Sequence, residues 1–412
     1  MKNINFTCPF CSLLCDDIKL EVKNNNLKPL NFKCPILVNS LKRKINEQFS
    51  RINGKKTGIS QAIEALSVLI KKSKSTLFTG MGTDIKGTKA TLKIADKFKC
   101  IIDHFSGDSY VRNIKSVQEV GGFFLTLSEL KNRSDTIIII QSSNDELPRL
   151  FERYIFSKNT INNLKKRKVV FIGNKLPKFI YKNKKKLHFD HIKLNSISLL
   201  NFISSLRNSI NSEISEIKDK KIVHLLKLLK QTNYGSILWS MKELDNNISD
   251  LIVTEITLLI QDLNKFTRFS GLSLEGSDHI LTVNEVLLWQ TGFPIRTSFA
   301  SGFPVHDINQ FSTKKLLDNK EIDLAIWINS FNEKKIIINK KIKNVLIGIP
   351  THPQKKDADI FIPVGTPGLD HKSHLLRIDK VVSVPLKKIR NISLPSVDLV
   401  LNKVKERIFN DN

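Results

Sequence analysis

The sequence has 412 residues, 41% hydrophobic and 25% charged, and its 66 Lys and Arg against 39 Asp and Glu give a formal net charge of +27. The length exceeds what one ordinary core serves, so two or three domains are expected. No apolar run approaches the roughly 20 residues that cross a bilayer and none follows Met1, which points to a cytoplasmic protein with no membrane role. The charge invites nucleic acid, because basic surfaces release counterions from phosphates. Its lysines, however, are scattered through every segment, as on a solvated surface or in a field that draws anionic small molecules.

The first element is cysteine-rich. Cys8, Cys11, Cys15 and Cys34 are four of the five cysteines in the chain. A C-x2-C-x3-C triplet with a remote cysteine before proline suits four-thiolate iron–sulfur ligation better than zinc, which favours paired C-x2-C knuckles. Three alternatives stand: a [4Fe–4S] cluster, zinc, or reduced and unligated thiols. Alternating residues Asp17 to Val22 and an Asn24–Asn26 turn form a hairpin that carries Cys34 back toward the other three.

From Ser60, which can cap a helix with Ile63, Leu66, Leu69 and Ile70 on one face, helix and strand alternate. Strand Thr76–Thr79 runs into Gly80-Met-Gly82; a helix bearing Ala90, Ile94, Ala95 and Phe98 leads to strand Cys100–Asp103. Further strands fall at Thr136–Ile140 and Val169–Ile172. This βαβ succession predicts doubly wound, Rossmann-like parallel sheets. Gly80 and Gly82 suit either a phosphate cradle or a tight strand-to-helix turn, Gly87 lying too far on for the dinucleotide spacing. Cys100 reads as a small core residue. The run from Lys182 to Lys186 reads as a solvated turn, and the amphipathic stretch to Ser249 shows no chemistry.

Strand Ile237–Trp239 and a helix from Asp250 to Leu263 resume the pattern. Two loops then gather Gly, Pro, aromatic and charged residues, the usual composition of binding loops. One holds Trp289, Gln290, Thr291, Gly292, Arg296, His306 and Asp307. The other, after strands Leu324–Ile328, Val345–Gly348 and Ala358–Pro363, holds Thr366, Asp370, His371, His374 and Arg377. A helix closes the chain from Pro395.

The motifs Cys8-Pro-Phe-Cys-Ser-Leu-Leu-Cys-Asp-Asp, Ile102-Asp with Val117-Gln-Glu-Val-Gly121, Trp289-Gln-Thr-Gly-Phe-Pro, Ser301-Gly-Phe-Pro and Ile362-Pro-Val with Thr366-Pro-Gly together resemble the B subunit of formylmethanofuran dehydrogenase. The resemblance implies a shortened molybdopterin oxidoreductase: an N-terminal [4Fe–4S] hairpin element (residues 1–55), a discontinuous first α/β domain (56–130 and 265–412) and an inserted second one (131–264). In that family a tungsten- or molybdenum-pterin lies between the domains, its metal held by a cysteine whose position falls at Ser109 here. A serine oxygen does not simply replace a soft thiolate, so the pterin is expected to be absent and no residue is assigned as catalytic. The family's Gly-x-Asn-Pro is also missing: Gln141-Ser-Ser-Asn-Asp stands there, followed by Glu146-Leu-Pro-Arg.

Both departures resemble the bacterial branch, a formyltransferase/hydrolase complex of one-carbon metabolism. There the resemblance implies formyl transfer from tetrahydromethanopterin to a furan carrier, and hydrolysis to formate in a partner chain. This protein is then a non-redox, structural or carrier-binding subunit. Gly80, Gly82, Gln290, Thr291, Gly292, Arg296, Asp370, His371 and Arg377 are candidate cofactor or carrier contacts, and Cys8, Cys11, Cys15 and Cys34 candidate metal ligands. The carriers' glutamate tails suit a basic protein, with Arg296 and Arg377 as attracting groups. The alternatives are a redox-active dehydrogenase subunit and a zinc-bearing nucleic-acid binder, for which no recognisable motif is present.

Overall fold

The computed structural model describes residues 2–32, 34–45, 47–142, 146–157, 167–183, 185, 189–210 and 216–410. The tip of the loop after Ile140 and, from the Lys182–Lys186 run, Lys184 and Lys186 lie outside them. The chain divides into two compact units, residues 1–108 with 276–412, and residues 109–275. These boundaries fall at 108/109 and 275/276, where the sequence suggested 130/131 and 264/265. The reason is local: Phe124 bridges Gly271, and Leu125 N–H donates to the Gly271 carbonyl, so the segment before residue 131 belongs with the second sheet.

The first unit begins with strands β1 (Lys2–Phe6), β2 (Ile18–Lys23) and β3 (Asn26–Pro29), an antiparallel sheet whose β2–β3 turn places Asn24 and Asn25 at positive φ. Helix α1 (Pro35–Leu41) follows Cys34, with proline in the first turn where its missing N–H costs nothing. Next come β4 (Ser50–Ile52), β5 (Lys55–Thr57), α2 (Ile59–Lys72), β6 (Thr76–Gly82), α3 (Ile85–Lys97) and β7 (Ile101–Ile102). Helix α2 buries Ile63, Leu66 and Ile70, as its period requires, but its cap is Gly58, one residue before the helix, in a box closed by Gln61. Ser60 lies inside the first turn. The Asp84 carboxylate caps α3 by accepting from Gly87 N–H at 2.8 Å.

Helices α4 (Gly107–Val120) and α5 (Leu127–Asn132) precede the second unit's sheet. Its strands are β8 (Thr136–Ile140), β9 (Lys168–Ile172), β10 (Asp190–Ile192), β11 (Tyr234–Trp239) and β12 (Arg268–Ser273), interleaved with α6 (Lys178–Asn183), α7 (Ser196–Asn208), α8 (Lys220–Lys230) and α9 (Ser249–Leu263). All five strands are parallel, in the order β10-β9-β8-β11-β12. Strand β8, Thr-Ile-Ile-Ile-Ile, is buried on both faces, the signature of a central parallel strand.

The first unit resumes with α10 (Ile280–Thr291), β13 (Thr297–Ser298), β14 (Val305–His306), α11 (Thr313–Asp318), β15 (Leu324–Asn329), β16 (Lys343–Gly348), β17 (Ile360–Pro363), the hairpin β18 (Ser373–Leu376) and β19 (Ser383–Leu386), and α12 (Val397–Asn410). Its nine-stranded sheet runs β14-β13-β7-β6-β15-β16-β17-β4-β5: a parallel centre from β7 to β17, flanked by antiparallel hairpins. Helix α12 packs on α2 and α3, which in turn lie on the sheet strands β17, β4 and β6. Helix α10 runs through Trp289 and Thr291, so the expected loop starts only at Gly292, the left-handed residue that ends the helix. Among the described residues no helix is long and apolar enough to cross a membrane.

One carboxyl in the second unit is stored at a cost. Glu275 is buried beyond β12, with one oxygen accepting from Met241 N–H at 2.9 Å and the other shielded without a partner among the described residues. Burial pushes it from an ordinary 4.5 up to about 8. The folded state therefore holds this proton after the unfolded chain has released it, and stability falls as pH rises from 4.5 to about 8. Glu275→Gln removes that dependence. Urea midpoints are expected to show the variant gaining on the wild type, by on the order of a few kcal/mol, between pH 5 and pH 8.5.

Candidate functional site

The cysteine loop is closed by its own backbone: Cys8 N–H donates to the Cys15 carbonyl at 2.9 Å and Leu14 N–H to that of Cys11 at 3.2 Å. Cys8 and Cys15 are buried, while Cys11 and Cys34 are half-buried. Burial, with the neighbouring thiols of Cys11, Cys15 and Cys34 adding to it, pushes the Cys8 thiol well above its ordinary range. The four thiols thus share one electrostatic neighbourhood, and a cluster of thiolates is favourable there only around a cation. The donor chemistry fits an iron–sulfur cluster or zinc. The arrangement is looser than a closed ligand set: among the described residues no three His, Cys, Asp or Glu side chains are placed to hold an ion.

In parallel sheets, loops at the carboxyl ends of the strands form the binding crevice where strand order reverses. In the first unit that point lies between β6 and β15. Gly80 is left-handed (φ 75°), as is Met81 (φ 50°), and the register between the two strands shifts beside Ile328. A Cβ on Gly80 would lie 2.8 Å from the Ile328 carbonyl oxygen. This bulge accounts for Gly80 without a ligand. Gly82 has room for a methyl and accepts from Ser330 through its carbonyl.

Arg296 does not face solvent. It is 5% exposed and pairs with Asp103 at 3.3 Å, with Asp108, and with the Ile308 carbonyl. Asp103 also accepts from Thr313 N–H and Oγ1, both at 2.7 Å. Asp370 is equally internal: Arg390 grips it with two bonds of 2.7 and 2.9 Å, and Thr366 N–H donates to it at 2.8 Å. Arg377 pairs with the buried Asp379 at 2.7 Å. His371 is half-buried, its Nδ1 by the Lys372 carbonyl and its Nε2 shielded without a partner among the described residues. Gln290 is exposed on the last turn of α10, and Thr291 bonds back to the Leu287 carbonyl. The structure therefore gathers the cysteines, but it turns Arg296, Asp370 and Gly80 into framework.

A buried cluster in the same unit carries almost no sequence signature. Asp278 and His279 are consecutive left-handed residues before α10. The Asp278 carboxylate is held by Lys334 Nζ at 2.9 Å and by Asn332, which with His104 outweigh burial and keep it below its ordinary range. His104 Nε2 donates to the Asp278 carbonyl at 3.2 Å, and Lys334 also lies over the Phe105 ring. Burial lowers His104 and His279 to about 4, so both are neutral near pH 7. The only signal in the chain is Gly276-Ser-Asp-His279 ahead of an apolar run, a turn-and-cap composition.

No family model matches the chain. It is 24% identical to the B subunit of tungsten-containing formylmethanofuran dehydrogenase 2 from Methanococcus maripaludis, across 93% of each chain. It is 23% identical to the protein of that name from Methanocaldococcus jannaschii, across 98% of this chain and 99% of the other. The chain resembles the formylmethanofuran dehydrogenase B subunit from end to end. It is also 23% identical to the B subunit of the formyltransferase/hydrolase complex Fhc from Methylorubrum extorquens, over 77% of this chain and 85% of the relative. The crystal structure of the FhcABCD complex from that organism, with methylofuran, superposes with a TM-score of 0.76 at 19% identity, covering 88% of this chain and 99% of the matched one. Acetylene hydratase from Pelobacter acetylenicus follows at 0.64 and 10%, covering 98% of this chain but 69% of its own. The fold is the molybdopterin-oxidoreductase-like one in shortened form.

Ser109, where the family resemblance implies a cysteine, lies half-buried in the first turn of α4. Removing one partner of a buried ion pair leaves a charge uncompensated, a loss of about 3–5 kcal/mol. Arg296→Ala is accordingly expected to lower stability by about that amount, measured by urea denaturation; an unchanged midpoint would show that Asp103 is satisfied without it.

Proposed function

We propose that the chain is a non-redox B-type component of a formyltransferase/hydrolase complex, in which partner chains pass a formyl group from formyl-tetrahydromethanopterin to a furan carrier and hydrolyse it to formate. One observation carries this reading: the chain has no cysteine beyond Cys100, so the thiolate that would hold a pterin metal near Ser109 does not exist. Cys100 itself is a buried core thiol, pushed up to about 12 by burial. No step is therefore routed through a tungsten- or molybdenum-pterin. The likeness to the Fhc relative and to the FhcABCD fold supports the choice of complex.

Cys8, Cys11, Cys15 and Cys34 would hold a [4Fe–4S] cluster, which would supply a one-electron centre and a covalent tie between the Cys8–Cys15 loop and Cys34 at the start of α1. The basic charge supplies a field that draws the anionic furan carrier. With Arg296 turned inward, Arg377, half-buried and paired with Asp379, is the other of the two named arginines, and Lys372 and Lys380 near it are exposed.

Attachment to other subunits is supported by residues 289–306. This stretch exposes Trp289, Phe293, Phe303 and Val305, and its one Lys or Arg, Arg296, is buried. An aromatic surface free of charge, in a chain where a quarter of the residues are charged, has the composition of an interface centre. A second copy of a +27 chain repels the first, so a different subunit is the fitting occupant.

Metal and pterin analysis of the native complex tests the reading. Iron at about four per chain, with no tungsten, molybdenum or pterin in either the wild type or a Ser109→Cys variant, is expected; stoichiometric tungsten or molybdenum with acceptor-dependent oxidation of the formyl-furan overturns it. Phe303→Asp is expected to reduce co-purification of the partner chains at least tenfold while the isolated chain keeps its circular dichroism. Arg377→Ala is expected to weaken carrier binding several-fold in titration calorimetry, and undiminished affinity would remove the electrostatic part.

A further inference from the structure

The cysteine loop is held by residues outside its ligand set. Ser12, between Cys11 and Cys15, is fully buried; its hydroxyl donates to the Gly276 carbonyl, and its own carbonyl accepts from Ile378 N–H at 2.8 Å. On the other side of Cys11, the Pro9 carbonyl accepts from His279 Nε2 at 2.6 Å. The His279 ring lies 4.3 Å from Phe331, which packs with Leu14, Leu375 and Leu386. Gly276 admits no side chain, since a Cβ there would stand 2.6 Å from the Ser12 Cβ.

Two features indicate that this grip is specific. His279 leaves its Nδ1 buried without a hydrogen-bond partner among the described residues. An apolar side chain would fill the space without that penalty, of roughly 1–3 kcal/mol, so what the imidazole contributes is its Nε2 donor. The backbone that aims it is also costly. Left-handed non-glycine residues cost about 1–2 kcal/mol each, and Asp278 and His279 are a consecutive pair. Asn332 and Lys334 offset this by fixing the Asp278 carboxylate.

We infer that Ser12 and His279 are positioning residues of the cysteine element, clamping the loop on both sides of Cys11 so that Cys8 and Cys15 face inward whether or not a metal is bound. The inference goes beyond the proposed function and does not need the cluster. It assigns the order of the thiols to the protein fold rather than to the ligand they hold.

Thiol alkylation of the metal-free full chain, mapped peptide by peptide, tests it. Cys100, buried in the same unit away from the loop, reports global opening. In the wild type Cys11 and Cys34, both half-buried, react first, and Cys8 and Cys15 slowly. Ser12→Ala and His279→Ala are expected to speed Cys8 and Cys15 at least tenfold with Cys100 unchanged. His279→Gln, which restores a donor near the Nε2 position, is expected to return within about threefold of wild type. Gly276→Ala, which keeps every bonding group but displaces Ser12, is expected to act like the alanine variants. Wild-type rates at Cys8 and Cys15 in both alanine variants would overturn the inference, and so would equal acceleration of Cys100, which would make these residues supports of the whole unit. Iron reconstitution of the wild type runs beside it: failure there removes the cluster reading alone and leaves the alkylation result standing.

Discussion

The Ile328 carbonyl passes so close to Gly80 that no side chain fits between β6 and β15, and much of the first unit depends on that approach. The bulge it forces turns the end of β15 into the 329–334 segment. There Ser330 bonds back to the Gly82 carbonyl, the Phe331 carbonyl accepts from Arg43, and Asn332 and Lys334 reach Asp278. Asp278 fixes the turn from which His279 grips the cysteine loop. A local irregularity in one strand pair is thereby connected, through short hydrogen bonds, to the N-terminal element that the sequence makes most conspicuous. Bulges redirect side chains at strand ends in this way.

What could be read in the sequence follows the range of the interactions. Helix and strand identity rests on neighbours a few positions apart, so the buried run of β8, the apolar stripes of α2 and α3 and the closing helix were all legible. Partner choice across long separations was not. Arg296 looks like a loop cation until Asp103, 193 residues away, is seen beside it. Asp370 looks like a site carboxylate until Arg390 folds over it. The Ser60 cap was displaced by two positions because Gly58 and Gln61 close a box that propensity alone ranks lower. For the candidate site, spacing alone singled out the four thiols, which the fold keeps in one electrostatic neighbourhood, whereas the Asp278–His279 turn shows no periodicity and became visible only through its distant contacts.

The charge has a distribution that its total conceals. Asp84, Asp103, Asp370, Asp379 and Glu275 are buried, and so are Arg51, Arg149, Arg296 and Arg390, whereas none of the described lysines is. Burial takes both signs inward in nearly equal number and leaves the lysines outside to set the long-range field that anions meet. Inside the protein the same carboxylates serve as anchors for arginines and loop amides. Against that background the stretch around Trp289 and Phe303 stands out, because its one Lys or Arg is buried while its aromatic side chains are exposed.

The clamp on the cysteine loop also sets an order of events during synthesis. Ser12 finds its acceptor 264 residues further along the chain, and the Pro9 carbonyl finds its donor 270 residues on. At about 5–20 residues per second, a ribosome takes on the order of tens of seconds to supply them. An element made this much earlier than its partners is therefore completed late, and its thiols spend that interval without the cover that the finished protein gives them. A nascent chain of this kind depends on a reducing surrounding, or on an early-bound guest, well before it depends on its own fold.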